Sequence, residues 1–353
     1  MELGVYSFGD IHRDPVTGEQ ISPRQQLANT IERIKLADEL GLHWFGIGEH
    51  HRPDYAISSP ATVLAAAATV TSKIRLGSAV TVLSTEDPVR VYQQFSTIDL
   101  LSNGRAELTA GRGSFIESFP LFGQNLEDYD ALYEEKLDLL LRISAQERVT
   151  WRGKFRAGLT DAQILPRPDG HDLDIWVATG GNPESSIRAG VLGLPINYAV
   201  IGGYPERFAP LVDLYRRAAT EAGHDASALK VAISGPGFIA PTSQEARDTF
   251  FPYWIDSMSR ISAERGFATP DRASFDAQAA PRGAIFAGSP NEVADRMIAL
   301  HQHLDYDRHA LQMDWSGVPQ PLMMRSIELF ATEVLPQVDK ELGASPRGSE
   351  RQR

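Results

Sequence analysis

A polar residue followed by proline recurs along this chain, at Ser22-Pro23, Ser59-Pro60, Asp87-Pro88, Asn182-Pro183 and Ser289-Pro290. A polar side chain can accept a hydrogen bond from a free amide of a helix's first turn. Proline's fixed φ and missing N–H suit the first helical position. Each pair therefore predicts a helix start. Behind the first, Leu27, Ile31, Ile34, Ala37 and Leu40 fall at three- and four-residue spacing, and Gly41 stands where a helix end favours left-handed backbone.

Between the helices lie short apolar runs: Leu3 to Phe8, His43 to Gly48, Ile74 to Leu83, Ala106 to Ala110, Ile175 to Ala178, Ile196 to Ile201, Val231 to Ile239 and Ala310 to Trp315. Most show little polar alternation, the pattern of strands buried on both faces. Eight strands, most followed by a helix, predict an α/β chain folded as a single (β/α)8 TIM barrel. A doubly wound open sheet is the alternative, but no G-x-G-x-x-G follows any strand. Gly111-Arg112-Gly113 and Gly235-Pro236-Gly237 both lack the third glycine.

Two stretches break the cadence and read as insertions, 145–174 between the fourth helix and the fifth strand and 241–288 after the seventh strand; insertions after strand ends are where barrel enzymes build lids and substrate walls. The second reads as helical from Glu245 to Arg265 and loop-like through Pro281. Residues 1–342 are predicted to form one domain, and the Gly/Ser/Arg-rich stretch 343–353 a disordered tail.

Composition narrows the chemistry. The absence of cysteine excludes disulfides, thiolate nucleophiles and Cys-ligated metal centres. A net charge of −12 disfavours nucleic acid and anionic membranes as partners. No run of 18 apolar residues occurs, and Met1-Glu2-Leu3-Gly4 enters a strand without a signal segment. A soluble, cytoplasmic protein acting on small molecules is expected.

Glu49-His50-His51 closes the apolar run Trp44 to Ile47. In parallel α/β proteins, the C-terminal ends of strands are where ligands and chemistry gather. One carboxylate with two imidazoles is equipment for proton transfer near neutrality; the bland reading is a solvated loop. Alternate side chains at a strand end face opposite ways, so one histidine must point away from the reacting centre.

Two further segments suggest an anion site. Gly111-Arg112-Gly113-Ser114 ends the fourth strand and places a guanidinium among glycines that admit a ligand closely. Gly180-Gly181-Asn182-Pro183-Glu184-Ser185-Ser186 ends the fifth strand and opens a helix, so free amides and serine hydroxyls converge, with Glu184 facing solvent. Neighbouring strands let both segments face one phosphate. His12 with Arg13 is a candidate for the substrate entrance but reads first as surface loop, and Trp315 is a candidate pocket wall but reads first as core.

These residues, taken in order, carry a resemblance. Glu49-His50-His51, Ile74 to Val80, Asp87-Pro88-Val89-Arg90, Asp99 to Gly113, Phe122-Gly123, Phe286 to Ala294 and Met324 to Pro336 together resemble the bacterial luciferase-like, flavin-dependent monooxygenase superfamily. The resemblance runs from the first strand to about Leu342. It implies a barrel that binds FMN, its phosphate held by Arg112 with Ser114 and by the loop Thr179, Gly180, Gly181, Ser185 and Ser186. The ring system would lie near Tyr6 and a cis peptide bond at Ala79-Val80. It also implies a homodimer, reduced flavin supplied by a separate reductase, and O2 incorporated into or reduced with a small organic substrate as one of paired donors. His51, ahead of His50, is expected as acid/base catalyst, with Glu49 orienting one imidazole. Gly111 stands where luciferase holds a reactive cysteine, which argues against long-chain aldehyde as substrate. The alternatives are an F420-dependent reductase or dehydrogenase on the same barrel, a metal-dependent hydrolase using the histidines, and a non-catalytic flavin-binding relative. Against a hydrolase, adjacent strand residues converge poorly on one ion.

Overall fold

Every one of the eight apolar runs overlaps a strand, the last by only the three residues Ala310 to Gln312. In the computed structural model, which describes residues 1–344, the strands are β1 (Glu2–Ser7), β2 (Trp44–Ile47), β3 (Arg75–Ser78), β4 (Ala106–Gly111), β5 (Asp174–Thr179), β6 (Ile196–Ala199), β7 (Val231–Ile239) and β8 (Arg308–Gln312). Each pairs in parallel with its sequence neighbours, and β1 pairs with β8 to close the ring. The protein is a closed eight-stranded α/β barrel. The tail expected at 343–353 lies almost wholly outside the described residues.

The alternation of side chains along each strand explains both surfaces of the ring. Leu3, Val5, Phe45, Ile47, Leu76 and Leu108 belong to the main core between strands and helices. Each such side chain, fully buried, contributes roughly 1.5–3 kcal/mol. The intervening positions line the barrel axis. There Trp44 packs with Tyr6 and Ala310 in a separate cluster. Glycines on three strands make room for its indole: a Cβ at Gly4, Gly46 or Gly77 would lie 2.8, 2.1 or 2.4 Å from a Trp44 atom.

Below Trp44 the axis is ionic. Arg308 donates to Glu2 at 2.8 Å and to both oxygens of Glu107 at 2.6 and 2.9 Å. Arg75 bonds Glu107 at 3.2 Å and also Asp174, while Lys230 reaches Glu2 at 2.9 Å. Three carboxylates meet three cations. The Arg308 guanidinium also lies 5.1 Å from the Trp44 ring and 4.6 Å from that of Trp176.

All five proline-marked helices start as predicted, at Pro23, Pro60, Pro88, Pro183 and Pro290. Ser22, Asp87, Asn182 and Ser289 accept hydrogen bonds from first-turn amides. Ser59 does not; its hydroxyl bonds Thr62 instead. Gly41 is left-handed at φ +82°.

Two expectations about the insertions change. Residues 145–174, between the helix Tyr129–Ala145 and β5 as expected, form a hairpin of Arg148–Trp151 and Leu159–Gln163 and not a lid or substrate wall. Trp151 bonds Asp138, and the backbone of Phe155 donates to Glu135, so the hairpin lies along that helix instead of roofing the barrel. In the second insertion, helix Ser243–Arg265 is followed by another, Arg272–Ala279, in the stretch read as loop. A reciprocal cap between Asp271 and Ser274 nucleates it.

Candidate functional site

Glu49, His50 and His51 leave the end of β2 in an irregular segment, where their side chains acquire different surroundings. Glu49 is 5% exposed. One of its oxygens lies 2.8 Å from His51 Nε2, and the other accepts the Val82 amide at 3.0 Å. The Glu49 hydrogen bond lifts His51 above the ordinary histidine range; burial opposes the shift, while the charges of Glu49, Glu117 and Glu86 reinforce it. The Phe122 ring stands 5.0 Å from that of His51. Burial, and then the charge of Glu49, raise the Glu86 carboxyl.

His50 occupies an aromatic box, with ring centroids of Tyr55, Phe8 and Phe115 at 4.4, 4.7 and 4.8 Å. Its Nδ1 is 3.7 Å from Glu117. Burial raises the Glu117 carboxyl, but bonding to His50 outweighs it and holds that group below the usual range. Glu117 and Phe115 were not legible as site residues, because the segment after β4 shows no periodic pattern. The insertion helix closes over them. Arg52 pairs with Glu264, and the guanidinia of Arg52 and Arg265 lie 4.9 and 5.6 Å from the Phe115 ring.

One other sequence reading needs correction. The His12 side chain is enclosed rather than solvated: it sits 2.9 Å from Asp54 and 3.7 Å from Asp10, and is 7% exposed. Trp315 is buried as expected, in a short helical turn beyond β8.

The peptide bond Ala79-Val80 is cis, as the resemblance implied. It carries the chain from β3 into Thr81–Val82, which pairs with Ala110 and Gly111. Tyr6 is buried nearby, and Ala79 packs against its cluster. Gly111 has no room for a side chain, since a Cβ there would lie 2.4 Å from Val80 Cγ2.

Arg112 and the loop after β5 do face one cavity. It measures 10 Å³ and is lined by Arg112, Tyr133, Thr179, Ser185, Arg188 and Ala189, among others. Arg112 donates to Asp130 at 2.6 Å and to Ser185 Oγ at 3.3 Å. Thr179 Oγ1 accepts the amides of Gly181 and Asn182 at 3.3 Å, which fixes the turn. Glu184 is exposed, as expected. Gly180 has open space around it. Ser186 and Ser114 stand apart from this cavity: the Ser186 hydroxyl is buried against Tyr198 at 2.9 Å, and the Ser114 carbonyl accepts from Arg265. Arg188 is an addition. It follows Ser185 by three residues on one helix, spacing that places both on one face.

Contacts join the two halves of the site. Glu49 holds the Val82 amide, and Gly113, next to Arg112, is so close to Val82 that a Cβ would lie 2.9 Å from its Cγ1. Arginines, a serine hydroxyl and a tight glycine turn suit a phosphate group. Among the described residues, no cluster of three or more His, Cys, Asp or Glu could hold a metal ion.

Fold and site together define an α/β-barrel protein with an arginine-lined corner and paired imidazole–carboxylate groups at the C-terminal ends of its strands. The model of the luciferase-like monooxygenase family matches residues 1–306, and the chain belongs to that family. Among curated relatives, limonene 1,2-monooxygenase of Rhodococcus erythropolis is 27% identical, with 90% of this chain and 83% of that protein covered, and 4-hydroxyprotoasukamycin monooxygenase of Streptomyces nodosus subsp. asukaensis is 26% identical, with 91% and 89% covered. Among solved structures, monooxygenase RslO1 from Streptomyces bottropensis shares 27% identity at a TM-score of 0.80, covering 95% of this chain and 99% of that one. The oxygenating constituent of 3,6-diketocamphane monooxygenase from Pseudomonas putida, in complex with FMN, has a TM-score of 0.76 at 23% identity, with 96% and 98% covered. The fold extends to an F420-dependent secondary alcohol dehydrogenase, with a TM-score of 0.74 at 16% identity and 96% and 98% covered. No helix among the described residues is long and apolar enough to cross a membrane.

Proposed function

We propose that this chain is an FMN-dependent monooxygenase that uses reduced flavin and O2 to oxygenate a small organic substrate. The observation that carries the reading is the shared cavity of Arg112, Ser185 and the Thr179 turn, joined through Val82 to the Glu49–His51 pair. Bound reduced flavin would supply the electrons that activate O2. Arg112, Ser185 and the backbone around Gly181 would hold its phosphate. Tyr6 and the Ala79-Val80 segment would wall its ring.

His51 is the acid/base group. Glu49 engages Nε2, so a proton exchanged with a substrate moves at Nδ1, and the same carboxylate fixes the ring's orientation. His50, boxed by three aromatic rings, shields the reacting centre from water. A separate reductase delivers the reduced flavin, and the protein works as a homodimer in the cytoplasm.

The test is anaerobic titration with reduced FMN and with reduced F420, followed by admission of O2 and analysis of candidate substrates for incorporated oxygen. Saturable binding of reduced FMN and O2-dependent oxygenation are expected. Selective binding of F420 with hydride transfer would replace the monooxygenase reading, and flavin binding without turnover would make the protein a non-catalytic relative. Full turnover by both His50→Ala and His51→Ala would remove the acid/base assignment.

A further inference from the structure

The anion corner holds more positive charge than its sequence motif announced. Arg188 lines the same 10 Å³ cavity as Arg112, on the helix Pro183–Leu192 that also supplies Ser185. Each guanidinium is anchored by a carboxylate on the helix Tyr129–Ala145: Arg112 by Asp130 and Arg188 by Glu134. Asp130 and Glu134 are four residues apart, so one helix face presets both arginines. Their side chains are 69% and 56% exposed, and water screens these pairs. An arriving phosphate can therefore take over guanidinium N–H groups at small cost. Arg188 also lies over Tyr133, 5.8 Å from the ring, which fixes its plane.

We propose that Arg188 is a second phosphate-binding residue, and that with Arg112 it selects flavins ending in a dianionic phosphomonoester over those carrying a phosphodiester. The inference rests on the flavin reading above and sharpens it. Two fixed guanidinia match the roughly two negative charges of a monoester above its second pKa, about 6. A diester carries one charge and two substituents. A diester's second substituent has to find room beside the buried residues Tyr133 and Ala189, which back the cavity. F420 carries its phosphate as such a diester.

Anaerobic calorimetry with reduced FMN, reduced riboflavin 4′,5′-cyclic phosphate and reduced riboflavin tests this on wild type, Arg188→Ala and Arg188→Lys. The cyclic compound keeps the ring system and the phosphorus but is a monoanionic diester. Wild type should bind FMN about tenfold or more tightly than the cyclic ester. Arg188→Ala should lose about tenfold or more in FMN affinity, stay within about twofold for riboflavin, and be partly rescued in Arg188→Lys. Equal affinity for FMN and the cyclic ester overturns the selectivity. An Arg188→Ala variant that weakens FMN and riboflavin alike shows a merely structural residue, and one that leaves FMN binding unchanged removes Arg188 from the site. In both cases wild type still binds FMN and the flavin reading stands; if wild type binds none of the three, reading and inference fall together.

Discussion

The barrel carries ionic groups at both ends of its axis, and the two sets are built differently. At the floor, Glu2, Glu107, Arg75 and Arg308 are linked by multiple hydrogen bonds, and their charges cancel within the fold. At the mouth, Arg112 and Arg188 lean on exposed carboxylates, and His51 shares a single hydrogen bond with Glu49. Burial alone would raise Glu2, yet Arg308 and Lys230 hold it far below the ordinary carboxylate range. His51 instead is raised above its ordinary value by its single hydrogen bond to Glu49, against an opposing effect of burial. A charge saturated by its own chain serves structure; a charge held loosely remains available to a ligand.

The strongest way to break this contrast is at the floor. Arg308→Met leaves Glu2 and Glu107 buried without their main partner and should destabilise the fold by about 3–5 kcal/mol in urea unfolding. Any protein that remains folded should bind reduced FMN normally. A large loss of affinity without a loss of stability would reverse the roles assigned to the two ends.

Arg112→Ala should show the complementary pattern, with reduced-FMN binding weakened by about 1.5–3 kcal/mol and unfolding stability changed by less than about 1 kcal/mol. Gly111→Ala probes the packing between them. Its Cβ would strike Val80, so a loss of about 1–3 kcal/mol in thermal unfolding is expected.

The smallest effect is in pH dependence, where the two ends have opposite signs. The pKa of His51 is raised on folding, so its contribution is complete below the unfolded value of 6.5 and fades as pH rises through the folded value. The contribution of Glu2 is complete above the ordinary carboxylate range and is lost only as pH falls through its depressed value. Stability curves of wild type and Glu49→Gln should therefore differ most at or below about pH 6 and converge as pH rises. A gap that widens with pH would contradict the Glu49–His51 pairing.

Much of this architecture is legible in the sequence, for identifiable reasons. Strands buried on both faces leave continuous apolar runs, and Ser-Pro or Asp-Pro pairs mark helix starts, so the barrel follows from local signals. Arg112 and Gly181 are readable because strand ends are predictable places. The floor is not readable: Glu2, Arg75, Glu107 and Arg308 stand near the starts of separate strands, and only ring closure brings them together. Arg188 and Glu117 escape for the same reason, since their partners are distant in sequence. The short helix Arg272–Ala279 has a clear cap but little length, and the hairpin in 145–174 is built of strands only four and five residues long, too short for a firm alternation.

The indole of Trp44, seated among three glycines above an ionic plug, turns the barrel into a cul-de-sac. Nothing can travel through from the far side. On the function proposed above, cofactor and substrate would both arrive from the C-terminal face of the strands, the side the plug leaves open.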